Sequence, residues 1–226
     1  MSKHALVLYS GGQDSTTCLA WARQNFTYIE AMTFDYGQTH AIELACAKEI
    51  CQHFDVPQKI VDMKFLQSLH HNALTDQSID MHATSDMGNL PATFVPGRNA
   101  LFLTIAAAYG IPKHIYHLII GACEVDFSGY PDCRQIFIDG QAQTLSLAMD
   151  QKVHIHTPLM HKSKAEIFAL ADELACLDLI IKKSHTCYRG DRKNFHPWGY
   201  GCGNCPACIL RKQGYATFES TKSKLL

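Results

Sequence analysis

Six residues near the start of the chain combine two glycines with hydroxyl and carboxylate side chains: Ser10-Gly11-Gly12-Gln13-Asp14-Ser15. An apolar run at residues 5–9 predicts a buried strand before them, and residues 16–23 predict a helix after them. A Gly-Gly turn lets the backbone approach a ligand closely, and a helix N-terminus favours an anion. The pattern therefore predicts a phosphate site, although a plain tight turn with Ser15 as N-cap is the alternative.

The loop differs from two common glycine-rich phosphate loops. A Walker A loop ends in Gly-Lys-Ser/Thr, whereas no Lys follows Gly12, and the sequence contains no G-x-G-x-x-G. The hexapeptide instead resembles the PP-loop, S-G-G-x-D-S, of the ATP pyrophosphatases. This resemblance implies that ATP is cleaved between its α- and β-phosphates and that the loop holds the departing pyrophosphate. It also implies that Tyr9 and the six loop residues bind ATP.

A second group of residues has the spacing of a metal site. Three cysteines recur at intervals of three residues: Cys202, Cys205 and Cys208. A tetrahedral zinc needs a fourth ligand, for which Cys187 is the best candidate and His185 and His196 are alternatives. A closed four-cysteine site leaves no position open for a substrate, so the predicted Zn²⁺ is structural. Redox-active or merely buried cysteines are the alternative interpretation.

Composition sets outer bounds on the protein. A chain of 226 residues with 47% hydrophobic residues can form one moderate domain, and a net charge of −1 gives no general attraction to nucleic acid or anionic membrane. No apolar run approaches the roughly 20 residues that span a bilayer. With no apolar leader at the N-terminus, we expect a cytoplasmic protein, in which ten cysteines indicate metal ligands or buried thiols.

Strand and helix patterns alternate along the chain, which predicts an α/β fold: a doubly wound, mostly parallel sheet with helices on both faces. The predicted strands are residues 5–9, 28–34, 59–62, 114–121 and 154–156. The predicted helices are residues 16–23, 40–53, 99–109, 132–149, 164–175 and 207–215. We expect a nucleotide-binding domain at 1–180 and a zinc-binding helical segment at 181–226. Residues 67–93 are polar and aperiodic, and either form a lid or a surface excursion.

Further motifs accompany the loop and the cysteines. They are FDYGQ at residues 34–38, VPGRNALFL at 95–103, DFSGYPDCR at 126–134, TPLM at 157–160 and KSKAE at 162–166. With these, the chain resembles the 7-cyano-7-deazaguanine synthase (QueC) family, over about residues 5–212. The resemblance implies a PP-loop, adenine nucleotide alpha hydrolase-like fold. It also implies that 7-carboxy-7-deazaguanine, ammonia and ATP are converted into the 7-cyano compound, a queuosine precursor, by way of an adenylated acid and an adenylated amide.

The resemblance also implies roles for individual residues. The loop would cradle phosphates or their Mg²⁺, with Asp14 and Ser15 catalytic. Arg98 and Lys164 would be catalytic clamps on phosphate or on the substrate carboxylate.

The same resemblance places two aromatic residues beside the adenine, Phe34 and Tyr36. Three residues of the DFSGYPDCR motif would bind the deazaguanine: Tyr130, Asp132 and Arg134. A homodimer is expected, with small molecules as the only other partners, and no nucleic acid or membrane.

Two other functions compete with this one. Another PP-loop enzyme, either an amide-forming synthetase or a tRNA sulfur-transfer enzyme, would share the loop. Sulfur transfer would need a reactive cysteine pair and a surface for RNA, against which the near-neutral charge argues. A zinc-ribbon binding module without catalysis is the third possibility, and the intact loop argues against it.

Overall fold

Five short strands form the central sheet: β1 (His4–Leu8), β2 (Tyr28–Asp35), β3 (Gln58–Asp62), β4 (His117–Ile119) and β5 (His154–His156). All neighbouring pairs are parallel, in the order β3-β2-β1-β4-β5. The computed structural model describes residues 3–37, 42–68, 72–74, 76, 78–85, 90–125 and 129–223. The sheet confirms the predicted α/β architecture, and because β1 lies between β2 and β4, the chain reverses its winding direction there.

Seven helices are described: α1 (Gln13–Asn25), α2 (Ile42–His53), α3 (Arg98–Gly110), α4 (Gln135–Met149), α5 (Lys164–Glu173), α6 (Leu177–Lys183) and α7 (Pro206–Lys222). A two-stranded antiparallel hairpin, β6 (Phe195–His196) and β7 (Gly199–Tyr200), precedes α7. Among the described residues, no helix combines the length and the apolar character that crossing a lipid bilayer requires.

The side chains of β1 alternate between two hydrophobic cores. Leu6 and Leu8 belong to one core, and Ala5, Val7 and Tyr9 belong to the other. Successive side chains of a strand point to opposite faces, so the uninterrupted apolar run of β1 is what a strand covered on both faces requires.

Helices cover both faces of the sheet, as predicted. Leu103 of α3 and Ile138 of α4 pack in the core that contains Leu6. Leu19 of α1 and Ile50 of α2 pack in the core on the opposite face. The sheet is thereby buried between two helical layers, and only its strand ends are left for ligands.

The C-terminal segment packs on α5. Trp198, Cys208 and Phe218 form a third apolar cluster with the buried Phe168. The predicted domain boundary after residue 180 falls inside α6, and the division into two units stays a prediction.

Several boundaries differ from those predicted. Residues 114–121 contain only the three-residue β4, because a 3-10 turn ends at Lys113 and His114 has a φ of 59°. Residues 132–149 begin with a 3-10 turn at Pro131–Cys133, so α4 starts later.

The last helix is longer than predicted and ends at Lys222, while α6 and the hairpin were not predicted. The first two residues of the predicted helix 40–53 lie outside the described residues, as do residues 126–128 of the DFSGYPDCR motif.

Candidate active site and cysteine cluster

The PP-loop motif lies at the carboxyl end of β1, where the winding of the sheet reverses. It borders a cavity of about 330 Å³. The other walls come from the ends of β2 and β4, from the first turns of α3 and α5, from residues 185–188 and from α7. A doubly wound sheet binds its ligands at this position, and the cavity gathers residues from ten separate stretches of the chain.

The first glycine of the loop permits a close approach between the loop and α2. Gly11 has a φ of 85°, a backbone conformation that side chains disfavour. A methyl group added at Gly11 would lie 2.8 Å from the backbone nitrogen of Ala47 and from the carbonyl oxygen of Glu43. The loop therefore fits between β1 and α2 only with glycine at this position.

The loop hydroxyls are bound to one another. Ser10 Oγ lies 3.0 Å from Ser15 Oγ, which also accepts a hydrogen bond from the backbone N–H of Ser10 at 3.2 Å. Ser15 Oγ donates to the carbonyl oxygen of Gly12 at 3.2 Å. The N-cap of α1 is Gly12, which has no side chain to cap the helix, and Thr186 Oγ1 accepts from the N–H of Gln13 at 3.3 Å. Residues 12–15 line the cavity, so the positive end of the α1 dipole lies at the cavity. The alternative in which Ser15 is the N-cap is wrong, since the N-cap is Gly12.

Asp14 and Lys164 form an ion pair across the cavity wall. Lys164 Nζ donates to Asp14 Oδ1 at 3.0 Å and to Oδ2 at 2.8 Å. Lys164 is the first residue of α5, whose start is fixed by a capping box between Ser163 and Glu166. The two predicted catalytic residues are therefore brought together by the first turns of two helices.

α7 approaches α5 closely at this point. A methyl group added at Gly214 would lie 2.5 Å from Cβ of Lys164 and 2.8 Å from its Cγ. The stem of Lys164 thus lies against the backbone of α7, which limits the positions its ammonium group can take.

Arg98 is the first residue of α3 and lies over an aromatic ring. Its guanidinium carbon is 5.7 Å from the ring centroid of Tyr36. Burial alone would lower the pKa of Arg98, but Tyr36 and Tyr130 raise it above its usual value. Burial also raises the pKa of Tyr36 to about 12. Arg98 is therefore a permanent cation in the cavity, beside the neutral Tyr36.

Phe34 is stacked on a residue that the sequence did not single out. Its ring lies parallel to that of Phe102, with 4.0 Å between centroids and 5° between planes. Tyr36 also contacts Phe102, at 5.9 Å between centroids. All three rings border the cavity. They form an aromatic wall at the end of β2 of the kind on which a purine stacks.

The three residues predicted to bind deazaguanine have different surroundings in the structure. Tyr130 lines the cavity, and its hydroxyl is 2.6 Å from Thr93 Oγ1. Asp132 instead accepts a hydrogen bond from the backbone N–H of Asn99 at 3.1 Å, in the first turn of α3. Arg134 is exposed. Neither Asp132 nor Arg134 is among the described cavity-lining residues, and their contact with substrate stays a prediction.

Part of the predicted lid segment does reach the site. Leu74 lines the cavity, and Thr93 contacts Tyr130. Whether the segment moves stays a prediction.

Polar residues outside the motifs given above also line the cavity, among them Glu43, Thr186 and Tyr188. Burial raises the pKa of Glu43 to about 7, against the opposing charge of Arg98. Glu43 lies in the predicted helix 40–53, so its carboxylate could be noted as a candidate site residue from the sequence. Thr186 and Tyr188 follow the predicted helix 164–175, and no sequence pattern indicates that they line the cavity.

The four candidate zinc ligands converge. The Sγ atoms of Cys187, Cys202, Cys205 and Cys208 all lie within 4.8 Å of one another. Cys202 and Cys208 are 3.9 Å apart at sulfur, and Cys187 and Cys205 are 4.0 Å apart. Sulfurs bound at about 2.3 Å to a tetrahedral zinc lie about 3.8 Å from one another, so the spacing fits zinc.

Backbone groups support the same sulfurs. The N–H of Cys202 donates to Cys187 Sγ at 3.4 Å, and that of Cys205 donates to Cys202 Sγ at 3.3 Å. The two histidines that were alternative ligands are used elsewhere. His196 Nε2 lies 2.9 Å from the carbonyl oxygen of Gly201, and His185 Nε2 lies 3.1 Å from that of Cys187.

A buried arginine joins the cysteine segment to the phosphate loop. Arg211 of α7 is 0% exposed and donates to Thr186 Oγ1 at 3.0 Å and to the carbonyl oxygen of Ile180 at 3.0 Å. Thr186 Oγ1 also accepts from the backbone N–H of Gln13 at 3.3 Å. Burial lowers the pKa of Arg211 to about 10.

Comparisons with known proteins agree with this geometry. The sequence model of a family described as "Queuosine biosynthesis protein QueC" matches residues 4–219. The chain is 47% identical to 7-cyano-7-deazaguanine synthase of Wolinella succinogenes, over 97% of this chain and 95% of that one. It is 48% identical to 7-cyano-7-deazaguanine synthase of Bordetella pertussis, over 94% of this chain and 91% of that one.

A solved structure shares the fold at low identity. The NH3-dependent NAD synthetase of Campylobacter jejuni superimposes with a TM-score of 0.53 at 16% identity, over 80% of this chain and 68% of that one. Loop, cavity, cysteine cluster and near-full-length relatives all agree, and they show that the chain belongs to the QueC family of 7-cyano-7-deazaguanine synthases, enzymes of queuosine biosynthesis.

Proposed function

We propose that this chain converts 7-carboxy-7-deazaguanine, ammonia and ATP into 7-cyano-7-deazaguanine, releasing AMP and pyrophosphate. One observation carries the proposal within the structure. The PP-loop opens into the same cavity as the cations Arg98 and Lys164, the aromatic wall and Tyr130. One cavity thus offers phosphate-binding, purine-binding and carboxylate-binding groups together.

The conversion of a carboxylate into a nitrile removes two oxygens, and each must leave on a good leaving group. A carboxylate oxygen attacks the α-phosphorus of ATP, which gives an acyl adenylate and pyrophosphate. Ammonia displaces AMP and forms the amide. The amide oxygen then attacks a second ATP, and loss of AMP and protons leaves the nitrile. Both ATP-consuming steps release pyrophosphate, which is what a PP-loop would hold.

The cations supply the charge that these steps need. Lys164 and Arg98 would bind phosphate oxygens or the carboxylate, and preorganised donors are most effective where charge develops in the transition state. Asp14 is the carboxylate of the loop and is suited to Mg²⁺, which prefers oxygen ligands. Bound Mg²⁺ would neutralise part of the phosphate charge.

Aromatic rings would bind the two purine-like groups. The wall of Phe34, Tyr36 and Phe102 would contact the adenine, because a flat base stacks on such rings. Tyr130, which also lines the cavity, would contact the deazaguanine. Its hydroxyl is already oriented by Thr93.

The cysteine cluster would hold a structural Zn²⁺. All four ligand positions would be filled by Cys187, Cys202, Cys205 and Cys208, which leaves none for substrate. The metal would hold the N-terminal end of α7 against residues 185–188, and those residues form one wall of the cavity.

The protein would act as a homodimer. α4 exposes two large apolar side chains, Ile136 at 80% and Leu147 at 77% exposure. Exposed apolar surface of this kind favours association. Analytical ultracentrifugation checks this: a dimeric mass supports it, and a monomer at micromolar concentration contradicts it.

The activity is tested by incubating the protein with ATP, Mg²⁺, ammonium and 7-carboxy-7-deazaguanine. Mass spectrometry should detect AMP and the nitrile. A reaction that gives ADP and phosphate, or no nitrile, would overturn the proposal. Omitting ammonium should stop the reaction at the adenylate, which separates this enzyme from a sulfur-transfer enzyme.

A further inference from the structure

One PP-loop residue, Gln13, is expected to bind ATP with the rest of the loop, yet its side chain has been given no contact of its own. Gln13 is 1% exposed, and neither its amide oxygen nor its amide nitrogen has a hydrogen-bond partner among the described residues. A buried amide without partners costs free energy. Gln13 is one of the residues that line the cavity, so a small ligand bound at this edge of the cavity can supply the missing partners.

A second unpartnered atom lies on the segment that contacts this loop. His185 is 1% exposed, and its Nδ1 has no partner among the described residues. Its Nε2 lies 3.1 Å from the carbonyl oxygen of Cys187, which can only accept. Nε2 therefore carries the proton, and Nδ1 presents a lone pair.

The two residues are held on adjacent backbone segments. The N–H of His185 donates to the carbonyl oxygen of Gly11 at 3.0 Å, and the N–H of Gln13 donates to Thr186 Oγ1 at 3.3 Å. Both residues line the cavity. The amide oxygen of Gln13 and Nδ1 of His185 accept hydrogen bonds and the amide nitrogen of Gln13 donates them, so this corner of the cavity suits a small ligand that both donates and accepts.

A phosphate does not fit that requirement, because its oxygens accept. The proposed reaction has one further small substrate, ammonia, which has three N–H donors and one lone pair. We propose that Gln13, with His185, forms the binding site for ammonia beside the pyrophosphate loop. This inference rests on the proposed function and adds the site of its nucleophile.

The position suits the chemistry. Gln13 lies between Gly12 and Asp14 in the loop that would hold the departing pyrophosphate. Ammonia bound to its side chain would be next to the adenylated carbon when the acyl adenylate forms, and holding reactants side by side accelerates their reaction. The side chain would orient the ammonia lone pair and would take no proton itself.

The inference is tested with Gln13→Met, which keeps the length of the side chain and removes both polar atoms. At saturating ATP and 7-carboxy-7-deazaguanine, the KM for ammonium should rise about tenfold or more. Adenylation is measured separately, as acid-dependent exchange of pyrophosphate into ATP without ammonium, and should fall by a smaller factor than the KM for ammonium rises, because the loop backbone that would hold phosphate is retained. Gln52→Met, at an exposed position of α2, is the matched control.

The outcomes separate the two proposals. An unchanged KM for ammonium overturns the ammonia site, and so does a loss of exchange that accounts for the whole defect, because the amide would then only support the loop or a structural water. If the wild-type protein shows no acid-dependent exchange, the proposed function fails regardless of Gln13. Gln13→Asn, which retains the amide but shortens its reach, should give an intermediate KM and provides the same measurement if the Met variant does not fold.

Discussion

Lys164 Nζ donates to both carboxylate oxygens of Asp14, at 3.0 and 2.8 Å, and so joins the first turn of α5 to the first turn of α1. The lysine side chain is 14% exposed and the aspartate 31%. The pair is therefore shielded from bulk solvent and faces the cavity in which ATP would bind.

Replacing Lys164 with Met should abolish most of the activity while the fold persists. Removal of one preorganised charge from a phosphate site costs about a hundredfold to a thousandfold in rate. Acid-dependent pyrophosphate exchange measures the loss. Lys222→Met is the control, because it removes an exposed ion pair with Asp172, and such a pair contributes little to the free energy of unfolding. Equal exchange rates in both variants would show that Lys164 is not catalytic.

Replacing Cys205 with Ser should release zinc and destabilise the C-terminal segment. Three thiolates bind zinc more weakly than four, and a structural zinc contributes directly to folding. Elemental analysis gives the zinc content and thermal unfolding gives Tm, and both should fall. Cys51→Ser also replaces a buried cysteine, which belongs to a different hydrophobic core from the cluster, and should lower Tm alone. Full zinc occupancy in the Cys205 variant would show that the cysteine cluster is not the zinc site.

Replacing Phe102 with Leu should weaken ATP binding. The substitution keeps an apolar side chain and removes the ring that stacks on Phe34. The KM for ATP should rise about fivefold to tenfold, with a loss in unfolding free energy below about 1.5 kcal/mol. Phe65→Leu is the control, since Phe65 is exposed. An unchanged KM for ATP would place the adenine elsewhere.

The lowered pKa of His156 predicts how the free energy of unfolding depends on pH. Burial, with help from His117 and His154, lowers its pKa from 6.5 to about 4. Between these values the unfolded chain binds more protons than the folded one, so acidification through this range reduces stability. The loss is at most about 1.4 kcal/mol for each pH unit.

Urea unfolding at pH 7 and pH 5 tests this effect. The unfolding free energy of His156→Gln should fall less on acidification than that of the wild type. His82→Gln, at an exposed position, should behave like the wild type, and any acid-induced loss of metal is common to all three. Identical pH dependence in His156→Gln would contradict the shifted pKa.

The strands and the loop were predictable because their patterns are local. Residues 5–9 are apolar without a break, as a strand buried on both faces must be, and the glycines that follow allow the tight turn into α1. Three of the cysteines were predictable from their spacing, and Cys187 was the best of three candidates for the fourth ligand. The structure brings the four sulfurs together.

The features that the sequence did not predict have no local sequence pattern that indicates them. Phe102 lies in an apolar helix, where the spacing of apolar residues indicates only that it is a core residue. Its place at the cavity becomes visible from its stacking on Phe34. Asp132 has the chemistry to bind a guanine edge, yet its carboxylate binds the backbone of α3. The seven-residue α6 and the hairpin are short elements stabilised by tertiary packing, which a sequence period does not reveal.

Gly214 touches no ligand and belongs to no motif, yet a single added methyl group there would collide with the side chain of Lys164. A natural chain that kept every loop residue and every cysteine, but carried a larger residue at this position, would still pass a motif-based family assignment. The stem of its lysine or the backbone of α7 would have to shift to make room, which would disturb the ion pair with Asp14. The motifs do not record this packing requirement, so position 214 belongs beside them when a related sequence is judged for the proposed adenylation.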